Sequence, residues 1–372
     1  MSFFKKKYLI LSTLICLTAA VLNHCQKEKS TYTIGSVNNH KIIHNQEPLW
    51  KDNQKITLKL IQKIGGIEPK KEEYIFNKNF NMVQDRRGSK YVLSWDESVI
   101  RKFDQDWNFV LNFGGVGQGP GEIEWPMGLD MDSQDNIYIF DSRSGVRAVK
   151  YSPDGEYLKD IKFPGRCFKM TVLNSGNYVV DAIDLSKEVN PTIMAVVSPE
   201  GKLIKRFCGA KDYEDSFLTH SANQVCFTHD DRDNIYIAFE YQNRIEKYSS
   251  AGDLIWRSEQ TFDYPIINKM TLQHGKMFPK LTSVHTDIKT DSKGRLWVTT
   301  FKSIPKKRGS RSQTLENPEN LEFQIYNKDG IWLSRIPIPV SHFKKRIYGD
   351  HLYLMDPYYE ACVYGYEIIE EN

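Results

Sequence analysis

Six times along this chain a tight turn is followed, six residues after its first position, by an aromatic residue in a short apolar run. The copies are Asp85 to Tyr91, Asp132 to Tyr138, Val172 to Tyr178, Asp230 to Tyr236, Asp291 to Trp297 and Ile347 to Tyr353. The aromatic column advances by 47, 40, 58, 61 and 56 residues, the period of a four-stranded propeller blade with loops of variable length. A second register runs inside the units: Tyr151 precedes SPDGEYL, Val197 precedes SPEGKLI, Tyr248 precedes SSAGDLI and Tyr326 precedes NKDGIWL. Gly late in these turns supplies positive φ and Pro presets the bend, so they read as hairpins. Each unit becomes four antiparallel strands, a to d, with tight a-to-b and c-to-d turns.

The sixth unit lacks a strand d, because only EIIEEN follows Tyr366. A spare strand lies at the other end, Ile56 to Ile64 (ITLKLIQKI), followed by GGIEPKKEEYIF in parallel with the glycine-rich lead-out of the first full unit. The expected fold is therefore all-β: a six-bladed β-propeller over residues 55–372, closed by the N-terminal strand pairing in the last blade. Such closure leaves no open sheet edge between first and last blades. An aromatic content of 12% suits the faces between radially packed sheets.

Residues 1–25 read as an export signal: Lys5, Lys6 and Lys7, an apolar run from Tyr8 to Leu22, then Cys25. The run is short for a spanning helix and suits the core of a signal peptide. Cys25 stands where a lipoprotein signal places its acylated cysteine, although Leu22, Asn23 and His24 depart from the usual small residues; cleavage without lipidation, or an uncleaved anchor, are the other readings. Residues 26–54, polar and unpatterned, are expected to form a flexible tether of about 30 Å reach. The localisation implied is the periplasm or the outer-membrane surface of a bacterium, tethered rather than spanning, with a monomeric domain.

The formal net charge of +3 belongs to the signal, since removing its three lysines leaves 47 basic against 47 acidic residues. A neutral domain lacks the broad basic field that phosphate backbones require, which argues against nucleic acid as partner. The cluster Lys306, Lys307, Arg308 and Arg311 falls in a loop and reads as a solvated excursion. Cys167, Cys208, Cys226 and Cys362 show no zinc-type spacing; a Cys208–Cys226 bridge and four buried thiols both remain open.

Residues 113–160 resemble an NHL repeat, in which a GxGPGEF-like segment precedes a Pro-Gly strand start, a hairpin ending in N-[IL]-Y and a D-x-x-x-x-R strand. Gly117, Gly119, Pro120, Gly121, Glu122, Pro126, Gly128, Asp132, Asn136, Tyr138, Asp141 and Arg147 fill the matching places. The match weakens in the unit holding Asn234, Tyr236, Asn243 and Arg244 and fades elsewhere. Taken whole, the chain resembles exported six-bladed propeller proteins of the NHL-like or TolB-like type, many of them lipoproteins. The glycine-rich stretch from Gly114 to Gly121 lacks the following helix and Lys of a phosphate-binding loop and reads as a blade-to-blade crossover.

In such a fold the long b-to-c loops and d-to-a crossovers share one face, where a ligand should bind. Asp141, Asp181 and Asp356, with Glu240 displaced by one, stand just past the column aromatic. Converging on the axis, they are candidate ligands for Ca2+ or another divalent cation, or a general acid–base set; caps on their own loops, or pairing with Arg143, Arg147 or Arg244, is the structural alternative. His229 and His285 lie on or near strands that line the channel. Trp95, Trp125, Tyr241, Tyr264, Tyr358 and Tyr359 lie in or beside the variable loops as contact area for a partner. The expected function is non-catalytic binding or scaffolding, the loop-rich face of Trp95, Trp125, Asp141, Arg143, Asp181, Glu240, Tyr241, Asp356 and Tyr358 meeting an envelope protein or carbohydrate, with no cofactor required. The alternative is a metal-dependent propeller enzyme of lactonase or lyase type.

Overall fold

The aromatic column exists largely because four of the six turns, those opening on Asp85, Asp132, Asp230 and Asp291, are built around their own acid. The Asp132 carboxylate accepts the backbone N–H groups of Gln134 and Asn136 at 2.9 Å each and the Tyr138 hydroxyl at 2.8 Å. Asp230 does the same with Arg232, Asn234 and Tyr236, and Asp291 with Lys293, Arg295 and the Trp297 indole N–H. Six residues is the separation at which a turn-opening carboxylate meets the polar edge of a ring on the next strand. The third unit opens on Val172, without an acid, and borrows one: Asp233 of the next blade accepts from Asn174 N and Ser175 N at 2.7 and 2.9 Å.

The computed structural model describes residues 30–51, 55–69, 71–76, 80–142, 146–165, 167–184, 191–304, 318–342 and 344–371. In chain order, strands β1 (Tyr32–Val37), β2 (His40–Asn45) and β3 (Ile56–Gly65) precede the first blade, β4 (Phe80–Gln84), β5 (Lys90–Ser94), β6 (Val99–Phe103) and β7 (Phe109–Gly114). Blade two is β8 (Pro126–Met131), β9 (Ile137–Asp141), β10 (Arg147–Tyr151) and β11 (Tyr157–Lys162); blade three is β12 (Met170–Val172), β13 (Tyr178–Asp184), β14 (Thr192–Val197) and β15 (Leu203–Gly209). Helix α1 (Ser216–Ala222) leads to blade four, β16 (Val225–His229), β17 (Ile235–Phe239), β18 (Ile245–Tyr248) and β19 (Leu254–Gln260). A separate hairpin, β20 (Lys269–Gln273) and β21 (Lys276–Lys280), precedes blade five, β22 (His285–Thr290), β23 (Leu296–Phe301), β24 (Leu321–Tyr326) and β25 (Trp332–Pro337). Blade six is β26 (Lys344–Tyr348), β27 (His351–Asp356), β28 (Cys362–Glu370) and, last, β3.

The closing strand is the one expected. β3 pairs antiparallel with β28 from Cys362 opposite Gly65 to Glu370 opposite Ile56. Ile56, fully buried, joins Trp297, Leu352 and Leu354 in the core between blades five and six. Innermost strands neighbour one another round the axis, β4 beside β8, β8 beside β12, β16 beside β22, β22 beside β26 and β26 beside β4. Close packing between blades explains one late-turn glycine: at Gly201, φ +82, a Cβ would stand 2.0 Å from the Lys162 carbonyl oxygen of the preceding blade, a contact no side chain tolerates.

Two expectations are corrected and one open alternative is settled. The stretch 26–54 is not wholly a tether, because β1 and β2 form a hairpin and β2 adds in parallel to the outer edge of blade four, Lys41 opposite Trp256 to Asn45 opposite Gln260. Its anchor is Asn45, buried, whose side chain donates to Ser258 Oγ at 2.9 Å and accepts Trp332 N at 2.9 Å, bridging blades four and five. One short helix, α1, stands where no helical period was read; Asp215 caps it by accepting Leu218 N. Cys167, Cys208, Cys226 and Cys362 are free and buried, so Cys208 and Cys226 form no bridge. Cys25 lies outside the described residues. Among the described residues no helix is long and apolar enough to cross a membrane.

Candidate functional site

Strand a of every blade contributes to a cavity of about 220 Å³ at the mouth of the central channel, on the face of the b-to-c loops. Asn81 comes from β4, Leu129 from β8, Met170 from β12, Phe227 from β16, Asp287 from β22 and Arg346 from β26, while Trp95, Glu240 and Tyr241 enter from the ends of the b strands. Because the a strands begin on this face, the residues that open them point their alternating side chains toward the axis or the neighbouring blade. The mouth is where six short sequences meet.

Its electrostatics are lopsided. Lys169, Lys289, Lys344, Lys345 and Arg346 line the cavity against Glu240 and Asp287, a formal excess of three positive charges, with burial pulling the Lys345 pKa down. Glu240 accepts Lys169 Nζ at 2.7 Å. Asp287 faces Lys345 Nζ at 3.1 Å and Lys289 Nζ at 3.3 Å. Burial alone would raise the Asp287 pKa, yet these lysines outweigh it and hold the carboxyl below the usual range. Lys345, with no exposed side-chain surface, also donates to Thr299 Oγ1 at 2.8 Å. Arg346 donates to the carbonyls of Met82 and Leu129 at 2.9 and 2.8 Å and to Asn81 Oδ1 at 3.4 Å, all neutral oxygens. Lys344 Nζ lies 4.7 Å from the centroid of the Trp95 ring, a cation–π distance.

The structure brings together Trp95, Glu240, Tyr241 and His285 from the sequence-derived candidates. His285 is buried, its Nδ1 3.0 Å from Thr300 Oγ1, and burial pushes its pKa down to about 3, so the ring is neutral. The remaining acids turn away into structural work. Asp141 accepts Trp125 N at 2.8 Å and pairs with Arg147 at 2.9 Å. Asp181 accepts Phe168 N and Lys169 N at 2.6 and 2.7 Å, and burial pushes its pKa up to about 6. Asp356 accepts Tyr358 N and Tyr359 N at 3.0 and 2.9 Å. Arg244 pairs with Glu246. Among the described residues no three His, Cys, Asp or Glu side chains stand together as a metal-holding group, so the four candidate acids do not converge.

Trp125, Tyr358 and Tyr359 are exposed but outside this cavity, and Tyr264 turns its hydroxyl to the Phe301 carbonyl. His229 faces the Asp230 carbonyl instead of the cavity. Arg143 and the cluster from Lys306 to Arg311 lie outside the described residues. What sequence reasoning missed is the basic set, together with the exposed Phe168 at its edge; the available signal was Lys or Arg within the a strands themselves, as in KKRIY and HTDIKT.

Residues 71–286, more than half of the chain, match the six-bladed β-propeller family DUF5128. The chain belongs to that family. Among solved structures, this DUF5128 protein is similar to a DUF4221-family protein of Bacteroides vulgatus, with 13% identity and a TM-score of 0.57 over 86% of this chain and 100% of that one. It is similar to a Bacteroides fragilis protein classed as exported, at 14% identity and TM-score 0.56, covering 84% and 88%. The PQQ-bound aldose sugar dehydrogenase of Streptomyces coelicolor is similar at 13% identity and TM-score 0.50, covering 84% and 98%. At these identities the likeness is one of fold. No curated protein matches.

Proposed function

We propose that this DUF5128 propeller is an exported, non-catalytic binding module that receives its ligand at the channel mouth on the loop-rich face. The observation that carries the reading is the cavity itself: concave, shared by all six blades and flanked by Trp95, Phe168 and Tyr241, it presents side chains from every blade to one small group. Phe168 is 53% exposed at its edge. The occupant is a carbohydrate, or a side group of a partner protein, entering from the envelope. Export is supported by the Lys-rich, apolar leader and by the similarity to a Bacteroides fragilis protein classed as exported.

A thermal-shift screen of sugars, sugar acids, small organic acids and divalent metals on the wild type and on Trp95→Ala/Phe168→Ala tests the reading. A ligand that raises the melting temperature of the wild type and not of the variant supports it. Stabilisation by Ca2+ or Zn2+ accompanied by lactone hydrolysis would replace it with the enzyme alternative. Fatty-acid labelling abolished by Cys25→Ala tests the anchor.

A further inference from the structure

We infer that the group received by this mouth is an acid: a single sugar-sized ring bearing a carboxylate. The inference rests on the reading that the mouth is the binding site and names the chemistry that fits it. The space of about 220 Å³ has room for one ring and its substituents. A free monosaccharide acid or the terminal unit of an acidic glycan would fit.

Three features select an anion with an apolar face. First, the lining carries five cationic side chains and two acids, and both acids are already engaged, Glu240 by Lys169 and Asp287 by Lys345 and Lys289. Arg346 meanwhile donates to neutral oxygens. Like charges gathered in a partly enclosed, low-dielectric mouth repel one another, and an entering carboxylate relieves that repulsion. Second, the Trp95 indole Nε1 is buried with no hydrogen-bond partner. An unmet buried donor is costly and rare, and a turn of the ring on binding would let a ligand hydroxyl or carboxylate oxygen satisfy it. Third, the half-exposed Phe168 ring offers flat apolar surface at the edge, beside the Trp95 ring that Lys344 overlies, which the C–H face of a sugar ring covers and a compact inorganic anion does not.

The test is calorimetric titration of the folded chain with glucuronate and galacturonate, against glucose, galactose, glucose 6-phosphate and inorganic phosphate. A uronate should bind about tenfold or more tightly than its neutral parent, with the advantage shrinking as salt rises. Lys344→Met should remove much of that preference. Trp95→Phe, which keeps a ring but deletes the N–H, should weaken uronate binding, and the indole N–H resonance lost in that variant should shift in the wild type on adding uronate. Equal affinity for neutral and acidic sugars would overturn the inference while leaving the mouth as the site. Preference for phosphate or its ester over uronate would also overturn it. Absence of binding by every probe, with an unmoved Trp95 resonance, would sink both the inference and the reading beneath it.

Discussion

Asp230→Ala isolates what the six-residue spacing does for stability. The Asp230 carboxylate accepts Arg232 N at 2.9 Å, Asn234 N at 3.0 Å, Asn234 Nδ2 at 2.9 Å and the Tyr236 hydroxyl at 2.9 Å. The turn amides lie near solvent and recover water when the carboxylate goes. The Tyr236 residue is fully buried, so its hydroxyl recovers little. Allowing about 1 kcal/mol net for the amides together and about 2 kcal/mol for a hydroxyl stripped of a charged partner, the loss is about 3 kcal/mol. Tyr236→Phe alone costs about 1 kcal/mol, and in the Asp230→Ala background it costs nothing or restores part of that loss of about 2 kcal/mol, since the hydroxyl it removes is already unpaired. The coupling between the two positions is therefore about 1 kcal/mol or more.

Urea unfolding followed by fluorescence and circular dichroism, with coincident midpoints and unchanged slope, measures all four corners of the cycle. Strict additivity would refute the argument that the acid and the ring edge form one unit. The pH dependence is a second readout. Burial works to raise the Asp230 pKa, but the hydrogen bonds from Asn234 and Tyr236 prevail and hold it below the usual carboxylate range. A folded-state pKa below the unfolded value of about 3.9 means the contribution is complete above that value and is lost as pH falls through the folded one. The stability gap between wild type and Asp230→Ala should stay constant from about pH 7 to 5 and narrow below about pH 4.

Two further outcomes follow from the ring closure and from the thiols. Ile56→Ala, at a fully buried position of β3, should cost about 2–5 kcal/mol, whereas Leu60→Ala, 53% exposed on the same strand, should fall within about 0.5 kcal/mol of wild type; equal mild effects would mean that β3 is not seated in the last blade. A chain starting at residue 30 should show no thiol reactive toward Ellman's reagent at pH 8 while folded and four on denaturation, because burial raises every one of these thiols, Cys226 to about 12 and Cys362 to about 11; prompt native-state labelling would contradict the burial of the cysteines.

Much of the architecture was legible because its determinants are local. Asp132, Asn136 and Tyr138 sit within seven residues and close one hairpin, so their signal survives in the linear chain, and the orphaned strand Ile56–Ile64 could be matched to the unit that lacked one. The β1–β2 hairpin was illegible for the opposite reason. Its burial rests on Ile42 and Ile43 and on Asn45, whose partners Ser258, Gly330 and Trp332 are more than 200 residues away. Two apolar residues in a polar stretch give no period to read, and a parallel strand addition has no turn to announce it.

Of the two readings of the repeated acids, the structural one holds. Asp141, Asp181 and Asp356 repeat at one register because a b-strand end needs an acceptor for nearby backbone N–H groups, from the crossover at Trp125, the segment at Phe168 and Lys169, and the loop at Tyr358 and Tyr359. Repetition there reflected a structural demand made by several blades. The cations of the mouth follow no repeat: Lys169 precedes β12, Lys289 lies late in β22, and Lys344, Lys345 and Arg346 open β26. Lys169 and Lys289 are each unremarkable beside a strand, the run at the start of β26 reads as a solvated strand end, and the neutral total for the domain hides the group. Only the closed ring sums them, placing five on one cavity with two acids. A six-fold scaffold thus advertises its framework in what recurs, while a single axial site is built from what differs between blades, and the irregular positions of the a strands are where its ligand chemistry is written.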